Sequence, residues 1–244
     1  MPTFKFLTCL GLLGLTSHAW ALGNQTRVEQ RGERLGAFLS QEPDTRQGTL
    51  EVSQSGRASQ AYLTQSASQG DRTRVEQGGM GNFSNVTQAA GGAREVSIDQ
   101  REASQSHAYV YQGHGQRNGM EIVQSGRLNE ALVRQGGDDQ RLRIEQRGER
   151  NGASILIGGD DSHLTLVSQG NDNEVHALLI GDKVELGVEQ LGDGHVLDAG
   201  LGSAAQVSAN QQGAGQYASI SQAGAGDSIT LRQSGQGNRA TIRQ

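Results

Sequence analysis

The side chains best able to do chemistry in this sequence are its histidines, its serines and its glycine-flanked turns, and none has the spacing of a catalytic motif. GHG (113–115) and GAG (213–215 and 224–226) are not followed by the lysine of a phosphate-binding loop. The serines of QSG lack the Gly-x-Ser-x-Gly context of a hydrolase nucleophile. No HExxH or His-x-His pattern joins the histidines beyond residue 21, which are His107, His114, His163, His176 and His195. We therefore expect no enzyme, no catalytic metal and no cofactor.

A second set of candidates is a column of carboxylates. The segments GGDD (136–139), GGDD (158–161) and GDK (181–183) place Asp138, Asp160 and Asp182 at equal intervals of one repeat. Repulsion between stacked acids would make them gatekeepers that slow premature aggregation, which is the interpretation we favour. The alternative is a Ca²⁺ site built from oxygen ligands. The nine-residue glycine-aspartate repeat that binds calcium is absent, because the spacing and the glycine pattern differ.

The first 21 residues are of a different kind and predict a secretory signal peptide. Lys5 supplies a positive start, FLTCLGLLGL an apolar core, and Ala19-Trp20-Ala21 a small-x-small cleavage site. The apolar run is far shorter than the ~20 residues that span a bilayer. The exported chain would then contain no cysteine, since Cys9 is the only one, and its stability would not depend on disulfides.

Residues 22–244 are polar, acidic and rich in glycine. Of 21 basic and 26 acidic side chains in the whole chain, only Lys5 lies before residue 22, so this part has a formal charge of −6. Such a charge excludes a nucleic-acid binder that works through a basic surface. Composition alone is typical of disorder, because few side chains could form a core. The periodicity of the sequence contradicts that interpretation.

Glutamine recurs in two interleaved series, which divide residues 22–244 into ten repeats of about 22 residues. Nearly equal steps separate the members of the first series, which are Gln30, Gln54, Gln77, Gln100, Gln124, Gln146, Gln169, Gln190, Gln211 and Gln233. The second series consists of Gln41, Gln65, Gln88, Gln112, Gln135, Ile157, Leu179, Leu201, Gln222 and Gln244. Each repeat is therefore made of two halves of similar length.

Each half has the pattern of a short β-strand followed by a turn. An apolar residue stands two positions before every one of the twenty series members, as Val28 and Val167 do, and fourteen of the twenty are Val or Ile. Glycine stands two positions after the first-series glutamine in eight repeats. Both Gly and Asn tolerate a positive φ, so we interpret this segment as a tight turn. The next strand is expected to begin at a further ladder position, which is Asn82, Asn129, Asn151, Asn173 or Asn238.

Ten such units predict an all-β fold, a β-solenoid with cross-β stacking and two parallel sheets. A single hairpin of this length is too small to be stable in water, whereas copies stacked ~4.8 Å apart pair each strand with the strands above and below. An inward glutamine carries both a donor and an acceptor, so a column of glutamines can satisfy its own amides along the axis. Ile157, Leu179 and Leu201 follow one another in one column, so no glutamine is stranded among them.

The pattern Ser-x(4–5)-Gln-x-Gly-x-x-Asn-x-Ala-x-x-x-Gln resembles the curlin repeat, from the subunits of curli fibres on bacterial surfaces. NEALVRQ (129–135), NRATIRQ (238–244) and SITLRQSGQGNRA (228–240) fit it closely, and the resemblance covers residues 24–244. It implies export in an unfolded state through an outer-membrane pore, with periplasmic chaperones, and polymerisation outside the cell into amyloid fibres for adhesion and biofilm. A major fibre subunit, a nucleating minor curlin and a related curlin-repeat protein remain alternatives.

The ends of the predicted stack indicate how it would act. Gln244 is itself a ladder position, and no helix, proline or charge cluster follows it to blunt the strand edge. A bare edge templates another strand, so we expect molecules to add end to end into a fibre. The first copy is denser in charge and is followed by Pro43, so we expect the C-terminal face to be the readier template. The alternative is a soluble solenoid whose flat outer face binds a polysaccharide or another surface.

Overall fold

The structure, a computed structural model, describes residues 23–180, 183–202, 205–222 and 228–244. The predicted signal peptide, residues 1–21, lies outside the described residues, as does Asp182. Every regular element in the described part is a β-strand. That part contains no helix long and apolar enough to cross a membrane.

The strands form two parallel sheets, and consecutive half-repeats alternate between them. The first sheet contains, in order of pairing, β1 (Gln25–Glu33), β3 (Thr49–Arg57), β5 (Arg72–Gln77), β7 (Glu95–Gln100), β11 (Gly119–Arg127), β13 (Arg141–Glu149), β15 (His163–Asn171), β17 (Val188–Asp193), β19 (Gln206–Ala214) and β21 (Ser228–Gln236). The second contains β2 (Gly36–Gln41), β4 (Gln60–Gln69), β6 (Phe83–Gly92), β9 (His107–Gln112), β12 (Glu130–Gln135), β14 (Gly152–Gly158), β16 (Glu174–Ile180), β18 (Val196–Leu201), β20 (Tyr217–Ser221) and β22 (Arg239–Arg243). Two short strands lie off these paths, β8 (Ala103–Ser104) beside β11 and β10 (Gly115–Gln116) beside β6.

One strand of each sheet and the arcs that follow them make a coil, and the ten coils are numbered in chain order. The first arc leads from the first sheet to the second, and the second arc leads to the next coil. Equivalent residues lie over one another, as Val28 does against Val52 and Gln30 against Gln54. The predicted all-β solenoid of about ten turns, with two parallel sheets, is confirmed.

The inward side chains of the two sheets form one apolar core. Val52, for example, has no exposed surface. From coil 6 to coil 7 the order of small and large residues along the second sheet is reversed, since Val175 stacks on Ala153 and Ala177 on Ile155. All four of these residues are buried. The exchange conserves the enclosed volume, as close packing requires.

Coil 7 corrects one predicted ladder position. Gln146 pairs with Ser168, not with Gln169. Ser168 is fully buried, whereas Gln169 is exposed on the outer face. Leu166 is the inward apolar residue of this strand, and the predicted Val167 points outward. The prediction for Gln169 is therefore wrong by one residue.

A column of glycines in the first arc explains this register. A Cβ on Gly148 would lie 2.0 Å from the carbonyl oxygen of Gly170 in the next coil, and the φ of Gly148 is +114°. Close approach and positive φ both exclude a side chain there. In coil 7 the glycine comes one residue after Gln169 but two residues after Ser168. The glycine spacing of the other repeats therefore identifies Ser168 as the ladder residue.

The asparagines of the first arc do not have the positive φ expected of them. The left-handed residue is the one before, as in Leu128 before Asn129 (φ 57°) and Arg150 before Asn151 (φ 55°). The next strand begins one residue after each of these asparagines, close to the predicted position. Asparagine therefore acts here through its side chain and not through its backbone conformation.

The first arc has almost the same length in every coil, whereas the length of the second arc varies. The separation between the two ladder positions of one coil is the same in nine coils and is one residue longer only in coil 4, between Gln100 and Gln112. The separation from the second ladder position to the next coil varies more. It is longest from Gln41 to Gln54 and shortest, by three residues, from Leu201 to Gln211. The first arc thus has nearly one form, whereas the second accommodates extra residues.

Replacing Gly148 with alanine tests the stacking of the first arc. The added Cβ would collide with the Gly170 carbonyl at a strained φ, so we expect a loss of about 1–3 kcal/mol in the free energy of unfolding. Urea unfolding of freshly prepared monomer measures it. Gly200→Ala in β18 is the matched control, because no atom lies within 4 Å of its added Cβ. Equal losses in the two variants would contradict the stacking argument.

Candidate functional site

The first ladder is a chain of side-chain hydrogen bonds along the first sheet, in which the Nε2 of each glutamine donates to the Oε1 of the glutamine in the next coil. The bond lengths are 2.6 Å for Gln30–Gln54, 2.8 Å for Gln54–Gln77, 2.9 Å for Gln77–Gln100, 2.6 Å for Gln100–Gln124 and 2.8 Å for Gln124–Gln146. After coil 7 they are 3.1 Å for Gln190–Gln211 and 3.0 Å for Gln211–Gln233. Ser168 interrupts the glutamines, and its Oγ donates to Gln190 Oε1 at 3.0 Å.

The second ladder runs the same way through the second sheet. Its bond lengths are 2.9 Å for Gln41–Gln65, 2.9 Å for Gln65–Gln88, 2.8 Å for Gln88–Gln112 and 2.7 Å for Gln112–Gln135. The predicted apolar column follows, since Ile157 stacks on Gln135 and is itself followed by Leu179 and Leu201. At its border, the buried Nε2 of Gln135 has no hydrogen-bond partner among the described residues. Beyond the apolar column the series resumes with Gln222 and Gln244.

Each ladder has a direction. In every glutamine-to-glutamine bond, Nε2 belongs to the earlier coil and Oε1 to the later one. Several of these amides also donate across the interior to the facing sheet, as Gln54 does to the Gly36 carbonyl at 3.0 Å and Gln146 to the Glu130 carbonyl at 2.9 Å. An unpaired buried amide would cost about 1–3 kcal/mol, so this double use makes glutamine stable inside. The N-terminal edge consequently presents acceptors, of which Gln41 Oε1 also accepts the Thr26 hydroxyl at 3.2 Å, and the C-terminal edge presents donors.

Both edges of the stack are open in the described part of the chain. No described strand pairs with the outer edge of β1, β2, β21 or β22. Val28 and Ile242, the inward apolar residues of β1 and β22, are only partly buried. Gln244 is exposed, although its backbone N–H still donates to the Ser221 carbonyl at 3.1 Å. The inward apolar and amide groups of β1 and β22 are therefore more exposed than their equivalents in the middle coils, whereas those of β2 and β21 stay buried.

The asparagines form a third column, in the first arc. Asn129 Nδ2 donates to the Ser125 carbonyl at 2.8 Å and to the Gly148 carbonyl of the next coil at 3.0 Å. Its Oδ1 accepts the backbone N–H of Asn151 at 3.0 Å. Similar bonds are made by Asn82, Asn151 and Asn173, whereas the exposed Asn238 donates to the Ser234 carbonyl of its own coil. This column joins neighbouring coils at the point where the chain turns.

The second arc contains a buried ion pair that the sequence analysis did not identify. Arg94 Nε and Nη2 bind the Asp71 carboxylate at 3.1 and 2.5 Å, and the Arg94 backbone N–H donates to its other oxygen at 3.0 Å. Arg94 Nη1 donates to the carbonyls of Ala89 at 2.9 Å and Gln112 at 3.2 Å. Neither charged side chain is exposed. The sequence places these two opposite charges one repeat apart, and this spacing is the feature that could have identified them as a pair.

The carboxylate column carries hydrogen bonds as well as charge. Asp138 Oδ1 accepts the backbone N–H of Gln116 at 2.9 Å, and Asp160 Oδ1 accepts the backbone N–H of Asp138 at 2.8 Å. Each carboxylate thus holds the arc of the preceding coil. Asp182 falls outside the described residues. The gatekeeper role of Asp138, Asp160 and Asp182 stays a prediction.

Two exposed ion pairs also join neighbouring coils. Arg117 Nε lies 2.6 Å from Asp139, and Arg150 Nε lies 2.6 Å from Asp172. Hydrogen bonds from these guanidinium groups lower the pKa of both carboxyl groups. Their stabilisation is present above the ordinary carboxyl pKa and is lost as the pH falls through the lowered one. Such exposed pairs contribute little to the free energy of unfolding, because solvent screens the attraction between their charges.

The histidines are not brought together. His195 is buried in the asparagine column, where its Nδ1 accepts the Gln216 backbone N–H at 3.4 Å and its Nε2 lies 3.2 Å from the Leu191 carbonyl. These contacts fit the neutral Nε2–H form. The described residues contain no group of three or more histidine, cysteine or acidic side chains that could hold a metal ion. The calcium interpretation therefore finds no ligand set in the described part of the chain.

Comparison with known proteins identifies no family. No family model matches the chain, and no curated protein does. Among solved structures, the polySia-specific acetyltransferase NeuO is 11% identical over 90% of this chain and 80% of that chain, with a TM-score of 0.18. A likeness this low carries no argument about activity.

Removing the charge of Asp71 tests the buried ion pair. Asp71→Asn would leave the Arg94 guanidinium buried without a counter-charge, which typically costs about 3–5 kcal/mol. We expect a large fall in the urea midpoint of the monomer, or no folded state at all. Asp139→Asn is the control, because it removes one partner of an exposed pair, and we expect no measurable change. An Asp71→Asn protein as stable as wild type would contradict the burial of this pair.

Two substitutions in the second ladder compare Gln88, whose amide is bonded to both neighbouring glutamines, with Gln135, whose amide is bonded to only one. Gln88→Leu would remove the acceptor of Gln65 Nε2 and of the buried Thr73 hydroxyl, and the donor to Gln112 Oε1, so we expect a loss of about 1–3 kcal/mol in unfolding free energy. Gln135→Leu should cost less, because its own Nε2 is already unpaired and its other neighbour, Ile157, is apolar. Urea midpoints in the same buffer measure both. A Gln88→Leu protein as stable as wild type would show that the ladder bonds contribute no stability.

Proposed function

We propose that this chain is a structural subunit of extracellular curli-type amyloid fibres, which polymerises end to end to serve adhesion and a biofilm matrix. The observation that carries the proposal is the one-way direction of the two glutamine ladders. Acceptors at the N-terminal edge and donors at the C-terminal edge are complementary, so one end of a molecule fits the opposite end of another. The resemblance of the repeats to curlin repeats supports the same conclusion.

The register of the coils supports an uninterrupted junction. If coil 1 of one molecule continues the stack beyond coil 10 of another, Gln233 Nε2 faces Gln30 Oε1, as its equivalents do in the interior. Ile242 then lies on Leu39, in the same apolar column. Backbone groups at both open edges gain partners, and apolar side chains such as Val28 and Ile242, now only partly buried, become fully buried. Each addition therefore repeats a contact that the molecule already makes between its own coils.

Charges at the two ends favour this orientation over its reverse. Residues 228–244 carry Arg232, Arg239 and Arg243 and no acidic side chain. In the head-to-tail junction, Arg232 stands opposite Glu29 of β1, because Gln233 stands opposite Gln30. Two C-terminal edges would instead place arginine against arginine. Opposite charges across a junction select a partner and its orientation more than they add affinity.

The proposal places the chain outside the cell, as fibres on a bacterial surface. Its partners are other copies of itself and other curlin subunits, and by resemblance an outer-membrane export pore and periplasmic chaperones. No nucleic acid and no cofactor enters the proposal, and no catalytic role is proposed. A nucleating minor curlin is the alternative within the family. It would seed a second curlin at low molar ratio, whereas a major subunit would form the bulk of the fibre.

The main experiment is incubation of residues 22–244 at physiological salt. We expect thioflavin-positive, detergent-resistant fibres whose diffraction has a meridional reflection near ~4.8 Å, the spacing between hydrogen-bonded strands. Monodisperse protein that does not seed after prolonged concentration would overturn the proposal and favour a soluble surface-binding solenoid.

A double variant at the N-terminal edge tests the ladder junction. Gln30→Leu with Gln41→Leu removes both terminal acceptors, so each donor arriving from a C-terminal edge would be buried unpaired. We expect seeded elongation to slow by a factor of ten or more, since one lost buried hydrogen bond of about 1.4 kcal/mol already corresponds to tenfold. The control is Gln212→Leu, an outward glutamine of β19. Equal elongation rates in all three proteins would contradict a junction made through the ladders.

A further inference from the structure

The strands of the second sheet carry no outward charge in the first four coils, and the nearest charge on this side is the exposed Glu42, directly after β2. The sheet's outward residues from β2, β4, β6 and β9, here called the aromatic face, include no Asp, Glu, Lys or Arg. Aromatic rings and neutral hydrogen-bonding groups occupy it instead. The aromatic members are Phe38, Tyr62, Phe83, Tyr109 and Tyr111, and the others are Gly36, Ser40, Gln60, Thr64, Asn85, Thr87 and His107. Phe38 and Tyr111 are 42% and 48% exposed, so the face is open to solvent.

The opposite face of the same four coils has the reverse character. Its outward strand residues include Arg27, Glu29, Glu51, Arg72, Arg74, Glu76, Glu95 and Asp99. Several of them are paired, as Arg74 is with Glu76 and Asp99 with Arg101. Beyond coil 4 the second sheet also acquires charges, beginning with Glu130 and Arg134. Beyond coil 4, of the described strands only β14 and β20 lack outward charge, and they do so singly, so the first four coils form the longest uncharged stretch of this face.

The rings of the aromatic face stack on one another along the axis. Phe38 and Tyr62 lie with centroids 4.7 Å apart and planes 7° from parallel. Phe83 continues the cluster, at 5.5 Å from Tyr62 and 5.3 Å from Tyr109. Phe38 and Tyr62 thus cover one face of each other, whereas Phe83 is tilted by 35° to Tyr62 and by 39° to Tyr109. The surface is a row of neighbouring rings separated by short polar side chains.

We propose that the aromatic face is a lateral interface, which packs against the aromatic face of a second copy of this chain in a neighbouring fibre. The inference rests on the proposed function, because it requires the face to recur along a fibre. Two β-sheets pack face to face about 10 Å apart when the side chains between them interdigitate. Aromatic rings with short polar side chains between them can interdigitate with the same arrangement on a second copy.

The area of the patch explains why a fibre is needed. Four coils at about 4.8 Å and six residues at about 3.3 Å give an area of about 400 Å² per copy. A stable interface between two free molecules buries about 800 Å² on each partner. Two free monomers would therefore not stay paired. In a fibre of ten-coil molecules the patch recurs about every 48 Å, and successive patches on one pair of fibres act together.

Charge favours a second copy as the occupant. Residues 22–244 carry a net charge of −6, so most approaches between two copies bring like charges together. The aromatic face is a surface through which two copies can meet without that repulsion. Hydroxyl groups at Ser40, Thr64 and Thr87 donate and accept equally well, so they can pair with themselves across a two-fold interface. A neutral polysaccharide would need exposed ring faces, and the stacked pair of Phe38 and Tyr62 covers one face of each of those rings.

The test uses fibres of residues 22–244 carrying Tyr62→Thr, Phe83→Thr and Tyr109→Thr together, none of which lies in a terminal coil. These side chains point away from the core, so we expect fibres with an unchanged rate of seeded elongation. Wild-type fibres should form laterally paired or thicker bundles in electron micrographs, and the variant should form single fibres that pellet more slowly. The matched control is Val123→Thr with Val167→Thr, which removes outward apolar residues from the opposite sheet and should leave bundling intact.

The outcomes separate this inference from the proposed function. Absence of wild-type fibres would overturn both. Wild-type fibres that remain single would overturn the lateral interface alone, as would bundles that persist in the triple variant or disappear in the control pair. Should wild-type fibres stay single and co-sediment with a neutral polysaccharide, and the triple variant fail to do so, the face would belong to a glycan and not to a second copy.

Discussion

The whole structure depends on the requirement that each side chain fit beside its equivalent one coil away. With about 4.8 Å between strands, neighbours in a column must be mutually compatible in volume, in hydrogen bonding and in charge. Glutamine meets the requirement because it is at once donor and acceptor, and aliphatic residues meet it by packing. The boundary between the two kinds of column is where the requirement fails, and the unpaired Nε2 of Gln135 beside Ile157 is the visible result.

The same requirement decides what could be predicted from the sequence. The two sheets, the ladders and the apolar block follow from residue types repeated at one spacing, so periodicity was sufficient for them. Residue type alone predicts Gln169 as the ladder residue of coil 7, which is wrong, whereas the glycine spacing identifies Ser168. Asparagine was predicted at the right places for the wrong reason, since its backbone takes an ordinary φ and its side chain joins the coils.

Other features could not be predicted from the repeat because each departs from it. Asp71 and Arg94 occupy positions that are polar but uncharged, or apolar, in the other described coils, and only their separation by one repeat marks them as partners. The aromatic cluster is likewise confined to four coils, and its members reach one another because their spacing matches the coil length. Features of a single coil become predictable only when the structure shows which residues lie over one another.

Because the length of the first arc is nearly constant and that of the second arc varies, the chain should tolerate insertions in the second arc better than in the first. Because the first arc is held by its glycine and asparagine columns, an insertion there would displace every bond to the coils on either side. The second arc already varies in length from coil to coil without loss of register in either sheet. Genetic variation in length, or a foreign epitope grafted for display, would therefore be accommodated along that one margin.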